Sequence, residues 1–158
     1  MGEIVGLYTC AGAGDPLAAQ AEVRVLKGGG IVGDRYAANQ GFFSRPGQDK
    51  IRHVTLIACE AIEEANVELA KRGTPPFGPH ETRRNIVTAG VDVNALVGRE
   101  FSVGKVRMRG TEMTNPCNRV SALAEKTGFR EAFAGRGGVR AEILSNGVIS
   151  IADPIDQR

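Results

Sequence analysis

Of the three thiols in the chain, Cys10, Cys59 and Cys117, one is punctuated for reactivity. Asn115-Pro116-Cys117-Asn118-Arg119-Val120-Ser121-Ala122-Leu123-Ala124 reads as a helix start. Asn115 is a favoured N-cap, and Pro116 suits the first helical position, where its missing N–H costs nothing. Val120, Leu123 and Ala124 then supply an apolar face, and Gly128 is a natural stop. Cys117 is thereby expected in the first turn, where unpaired backbone N–H groups and the positive dipole end favour a thiolate. Arg119 adds a cation nearby. A thiolate is a nucleophile, a sulfur acceptor and a soft metal ligand. The competing reading is a buried structural cysteine. Cys59 shares the apolar side of a predicted helix with Leu56 and Ile62 and reads as core. Cys10 ends a strand before Gly12 and Gly14, has no evident activator, and reads as inert.

Arginines form the second signal. They stand at three turns: Gly33-Asp34-Arg35, Arg83-Arg84-Asn85, and Gly135-Arg136-Gly137-Gly138-Val139-Arg140. Glycine permits positive φ, and successive N–H groups in such turns form anion nests. Guanidinium forks grip phosphate and carboxylate with two bonds at once. These turns are expected to converge on one anionic ligand at a barrel mouth; the alternative is that they are solvated turn arginines.

Three other motifs fail on inspection. Gly28-Gly29-Gly30-Ile31-Val32-Gly33 spells a dinucleotide fingerprint, but Asp34-Arg35-Tyr36 and a glycine- and proline-bearing loop follow where a helix must start. Gly98 to Lys105 has one residue too many between its glycines for a phosphate-binding P-loop, and Val106 stands where Ser or Thr must reach magnesium. His53 and His80, the only histidines, lie at no metal-ligand spacing, so no zinc site is expected.

The elements that must position these residues are mostly short strands. Glu3–Thr9 and Ala21–Lys27 alternate as half-buried strands do, and Gly28-Gly29-Gly30 ends the second. Ala38–Lys50 reads as a long loop, of the kind that is usually functional. Ile51–Ile57 leads into a helix over Ala58–Lys71, which Gly73-Thr74-Pro75-Pro76 stops. Strand-like runs follow at Asn85–Thr88, Glu100–Val103 and Val106–Met113, the last two joined by a Gly104-Lys105 turn. Ala141–Leu144 and Val148–Ile151 flank Ser145-Asn146-Gly147, a hairpin signal. Seven or eight short strands with two or three short helices predict a mainly β, closed and largely antiparallel barrel-like domain.

Composition agrees with one domain over residues 1–158. Twenty-one glycines and seven prolines favour a turn-rich β architecture, while a net charge of +2 gives no global field for nucleic acid or anionic lipid. An odd cysteine count argues against a disulfide scaffold and for a reducing compartment. No apolar run approaches the length of a membrane span, and the N-terminus lacks the form of a signal peptide. The expectation is a soluble cytoplasmic protein.

In order and spacing, several stretches together resemble the MOSC domain, named for the C-terminal domain of molybdenum cofactor sulfurase. They are Gly30-Ile31-Val32-Gly33-Asp34-Arg35, Arg52-His53-Val54-Thr55-Leu56-Ile57, Thr82-Arg83-Arg84-Asn85-Ile86-Val87, Leu96-Val97-Gly98-Arg99-Glu100-Phe101-Ser102-Val103-Gly104, Pro116-Cys117 and Gly135-Arg136-Gly137-Gly138-Val139-Arg140-Ala141. The resemblance spans Glu3 to Asp153. It departs at Ala152-Asp153, where the family usually shows Gly-Asp.

The resemblance implies a closed, largely antiparallel β-barrel. It also implies that Cys117 either ligates molybdenum of a pterin cofactor or carries transferable sulfur as a persulfide. The cofactor would be bound by Asp34, Arg35, Arg83, Arg84, Asn85, Arg119, Arg136 and Arg140, with its phosphate at the Arg-Gly turns. Relatives that bind the cofactor reduce N-hydroxylated compounds, whereas sulfurases work beside a pyridoxal-phosphate cysteine desulfurase. This chain contains neither that domain nor the reductases' extra barrel, so its desulfurase or electron donor is expected in trans. The reading outside this family is a non-catalytic barrel that binds a phosphorylated ligand, with Cys117 structural.

Overall fold

The alternation of Glu3–Thr9 becomes strand β1 (Gly2–Thr9), with Ile4 and Leu7 turned into the core and Glu3 and Val5 outward. A computed structural model describes residues 2–35 and 53–157; the expected Ala38–Lys50 loop and the first two residues of the Ile51–Ile57 run lie outside them. The other strands are β2 (Ala18–Ala19), β3 (Glu22–Leu26), β4 (Gly30–Ile31), β5 (Val54–Ala58), β6 (Ile86–Ala89), β7 (Glu100–Val103), β8 (Val106–Met113), β9 (Val139–Ile143), β10 (Gly147–Ser150) and β11 (Pro154–Asp156). The helices are α1 (Cys59–Lys71), α2 (Asn118–Ala124) and α3 (Phe129–Ala132), with 3₁₀ turns at Pro79–Thr82 and Val93–Leu96.

Seven strands, in the order β1-β6-β5-β9-β8-β7-β11, close into a barrel where β11 pairs back onto β1. Every pairing among them is antiparallel except β5 with β6, which α1 connects. That parallel pair is buried on both faces, as parallel strands generally are. Leu56 and Ile86 point into the barrel, while Ile57 and Val87 face the helices. A second cluster forms there around Ile62, Leu69, Val120 and three phenylalanines, with Phe129 and Phe133 stacked at 4.3 Å and Phe77 edge-on to Phe129 at 5.3 Å. The helices therefore lie outside the barrel wall, over β5 and β6.

The expected β architecture is present, and most elements fall within a residue or two of their expected bounds. The Gly104-Lys105 turn joins β7 to β8 as expected, with Val103 paired to Val106 and Gly104 at φ 59°. The Asn146-Gly147 hairpin is a correction. β10 does not fold back on β9; it pairs with β3, in a separate three-stranded sheet ordered β10-β3-β4. Neither Asn146 nor Gly147 takes the positive φ that a tight hairpin turn needs. Instead, the Asn146 carboxamide oxygen accepts the Lys27 N–H at 2.7 Å, which draws the chain across to β3.

The Ala152 departure lies at the barrel's seam. Ala152 N–H donates to the Ile4 carbonyl, and Ile4 N–H donates to the Asp153 carbonyl, clamping the turn before β11 onto β1. Ala152 holds φ 73°, a left-handed conformation that favours glycine. Among the described residues, no helix is long and apolar enough to cross a membrane.

Candidate functional site around Cys117 and the arginine turns

Cys117 sits half-buried at the junction between β8 and α2. It is the N-cap of α2, extended at φ −137° and ψ 166°, and the helix starts at Asn118. The expected N-cap at Asn115 is therefore corrected by two residues, and Cys117 precedes the first turn instead of lying in it. The cause is upstream: Thr114 N–H still donates to the Gly138 carbonyl at 2.9 Å, prolonging the β8–β9 ladder, so the chain is not free to coil until Cys117. The helix also ends earlier than Gly128, at Glu125 (φ 55°), and Gly128 serves instead as the N-cap of α3. Val120 is buried as expected, but Leu123 is exposed.

What fixes the cysteine is the carbonyl of Gly137. Arg84 Nε donates to it at 2.7 Å, and the Thr114 hydroxyl donates to it as well. A Cβ at Gly137 would stand 3.0 Å from the Thr114 carbonyl oxygen and 3.4 Å from the Pro116 ring, so glycine eases this close approach. The segment carrying Cys117, the Gly135–Val139 turn and the start of β6 are thus tied at one atom. Thr114 and Gly137 as a pair were not marked by the sequence; the only signal was the glycine doublet.

Three of the candidate arginines come together. Arg35 Nη2 donates to the Arg83 carbonyl at 3.1 Å, and both guanidiniums approach the Cys10 sulfur at 3.6 Å. Arg83 also donates to the Asp15 carbonyl at 2.7 Å, and Arg119 lies against Gly14 of the same loop. Asp34, fully buried, accepts from Cys10 N–H and from Arg35. Burial first, and then the like charges of Arg35 and Arg119, hold the Arg83 guanidinium below its usual pKa. Cys10 therefore has cationic neighbours that the sequence reading missed, although Gly12 and Gly14 marked its loop as able to fold tightly. Its own thiol donates to the Gly12 carbonyl at 3.4 Å.

The other candidates are placed elsewhere. Arg84 is spent on Gly137 and on the Thr82 carbonyl. Asn85 knits the barrel wall: its side chain accepts from Thr55 and donates to the Tyr8 carbonyl, joining β5, β6 and β1. Arg136 pairs with Glu64 at 3.1 Å on α1, and Arg140 faces Glu112 across the β8–β9 ladder at 3.7 Å. The structure thus brings two of the three arginine turns together, at Arg35 and Arg83, with Arg119 joining them from α2, and places Arg136 and Arg140 elsewhere. Cys59 is half-buried against the helix cluster, and its thiol donates to Glu60 at 3.5 Å. Burial, then the Glu60 carboxylate, push its pKa up to about 11, which makes it unreactive. Among the described residues, no three His, Cys, Asp or Glu side chains group as a metal site.

The fold is a closed barrel with its helices packed on one wall, Cys117 at a strand-to-helix junction, and Arg35, Arg83 and Arg119 grouped around the Cys10 loop. The chain belongs to the MOSC domain family, whose model matches residues 46–156. Solved structures share the fold: YuaD from Bacillus subtilis (TM-score 0.78, 18% identity, 98% of this chain and 94% of that one) and YiiM from Geobacillus stearothermophilus (TM-score 0.72, 15% identity, 100% and 75%). YiiM from Escherichia coli is similar too (TM-score 0.69, 18% identity, 100% and 70%). No curated protein matches this sequence.

Proposed function

We propose that Cys117 is the reacting group of a MOSC protein that binds a molybdenum–pterin cofactor, with Arg35 and Arg119 meeting the cofactor's anionic end. The observation that carries this reading is the single thiol at a fixed junction, with a group of guanidiniums built from the neighbouring loops. The residues fit such a group. One thiolate and no cluster of further protein ligands among the described residues suits a metal that arrives with its own sulfur donors. The Arg35 and Arg119 guanidiniums, both near enough to act on Arg83, suit a phosphate.

When bound, the cofactor would supply a metal centre able to exchange two electrons. The protein's part is positional. Arg84, Thr114 and Gly137 fix where the Cys117 sulfur stands. Asp34 orients Arg35 at 3.2 Å, and Asn85 locks the strand that follows Arg83 and Arg84. The reaction class is reductive removal of oxygen from an N-hydroxylated small molecule, with two electrons from a separate donor protein and two protons yielding the amine and water.

A second reading keeps the same cysteine. Among the described residues no hydrogen bond to the Cys117 sulfur is found, which leaves it available to take a second sulfur. The terminal sulfur of a partner's persulfide would move to the Cys117 thiolate; one S–S bond forms as the other breaks, and the partner leaves as a thiol. The partner would be a pyridoxal-phosphate cysteine desulfurase in the same compartment, expected to be the cytoplasm. Intact-mass analysis after incubation with such a desulfurase and free cysteine separates the readings. One added sulfur atom on wild type and none on Cys117→Ala supports transfer; no added sulfur, together with molybdenum retained on the wild-type chain, supports the cofactor.

A further inference from the structure

A hollow of about 230 Å³ opens beside the arginine group, bounded by Gly14, Pro16 and Leu17 on one side, Leu123 and Ala124 of α2 on another, and Arg83. Its apolar walls and its guanidinium have different sources, so one packing requirement does not explain both. Leu17 is buried, but Leu123, on a solvent-facing turn of α2, is 38% exposed. Arg83 has partners, the Asp15 carbonyl and the Cys10 sulfur, but no carboxylate answers its charge among the described residues. Two of the three non-glycine residues with left-handed backbone among the described residues, Arg83 at φ 65° and Glu125 at φ 55°, both line this hollow. Glycine would hold either position at lower cost, and strained positions of this kind collect at ligand clamps.

We propose that this hollow binds a small organic monocarboxylate. The carboxylate would lie on the Arg83 guanidinium, and the apolar body would lie against Leu17, Leu123 and Ala124. The rim selects for a single charge. Glu81 is committed to Lys126 at 2.6 Å and to Gly78 N–H at 2.8 Å, yet it remains a carboxylate at the hollow, as does Glu125. With His80 they line the hollow, and two lining carboxylates disfavour a phosphate dianion more than a monoanion. The space accepts a single ring or a short branched chain. The site therefore goes beyond the cofactor reading: it takes a substrate or effector of one chemical class, and its lining does not include Cys117.

The test is a titration of benzoate into the metal-free full chain, followed by methyl and backbone NMR shifts. Binding is read without molybdenum or sulfur, so its failure is distinct from failure of the Cys117 reading. The expected result is saturable shifts at the Leu17 and Leu123 methyls with a Kd of about 1 mM, the scale for so small a ligand. Benzyl alcohol, with the same ring and no charge, binds at least tenfold more weakly. Leu123→Trp, which fills the hollow from an exposed position, and Arg83→Gln each weaken benzoate at least tenfold while the spectrum stays dispersed. The proposal is overturned if the leucine methyls do not shift, if Leu123→Trp or Arg83→Gln binds benzoate like wild type, or if inorganic phosphate displaces benzoate from the hollow with a lower Kd.

Discussion

Arg84 Nε stands 2.7 Å from the carbonyl oxygen of Gly137, across fifty-three residues of chain. This bond joins the turn before β6 to the turn before β9, and through Thr114 it also holds the segment that delivers Cys117. Arg84 is buried, and so is Gly137. Replacing Arg84 with Met leaves the Gly137 carbonyl with the Thr114 hydroxyl alone and removes a bond from a charged donor. Such a loss costs about 2–3 kcal/mol. Urea unfolding should show a midpoint lowered to match, with an unchanged denaturant slope. A change below about 0.5 kcal/mol would mean the bond does not hold this junction.

Ala152→Gly should stabilise the protein. A non-glycine residue in the left-handed region costs about 1–2 kcal/mol, and glycine's extra freedom in the unfolded chain returns roughly 0.4–1 kcal/mol of that. The net gain is about 0.5–1 kcal/mol, seen as a rise in Tm of a few degrees. An unchanged or lower Tm would show that the Ala152 methyl contributes packing at the barrel seam.

Cys59 should label slowly. With its pKa raised from 9.0 to about 11, its thiolate fraction near pH 7.5 is ~100-fold below that of an unperturbed thiol. Glu60→Gln removes the carboxylate that opposes ionisation and should speed labelling, as followed by peptide mass analysis with a neutral alkylating reagent. Equal rates in the two proteins would leave burial and the Glu63 carboxylate as the causes.

His53 should make stability depend on pH. Its Nδ1 accepts the Ile143 N–H at 3.0 Å, which requires a neutral ring, and burial lowers its pKa more than Glu142 raises it. The folded pKa therefore lies below the unfolded value of about 6.5. Above that value the histidine contributes no pH dependence. As pH falls below it, the unfolded chain takes up a proton that the folded chain resists, and stability declines until the folded pKa is passed. Unfolding midpoints at pH 7.5 and pH 5.5 should differ more in wild type than in His53→Asn. Equal differences would remove His53 as the source.

Several features were legible because local chemistry decides them. The β7–β8 hairpin is set by two residues between two alternating strands, and the α1 bounds by proline and glycine punctuation. Asn146-Gly147 carries an equally strong local signal and fails, because Asn146 spends its carboxamide on Lys27, more than a hundred residues away in sequence. The start of α2 moved for a similar reason: the Thr114 bond to Gly138 is non-local and overrides the capping preference of Asn115. At the site, side-chain types named the arginines, but only the fold sorts Arg35, Arg83 and Arg119 from Arg136 and Arg140. Cys10 was misjudged because its cationic neighbours come from two distant loops, and no spacing in the sequence joins them.

Molybdenum per chain tests the central claim most directly. Wild type and Cys117→Ala would be purified anaerobically from a cofactor-producing host and assayed by elemental mass spectrometry. The account predicts close to one molybdenum per wild-type chain and almost none in the variant, with both proteins unfolding at similar denaturant concentrations. Equal molybdenum in the two proteins, or none in either with no added sulfur on Cys117, would contradict it.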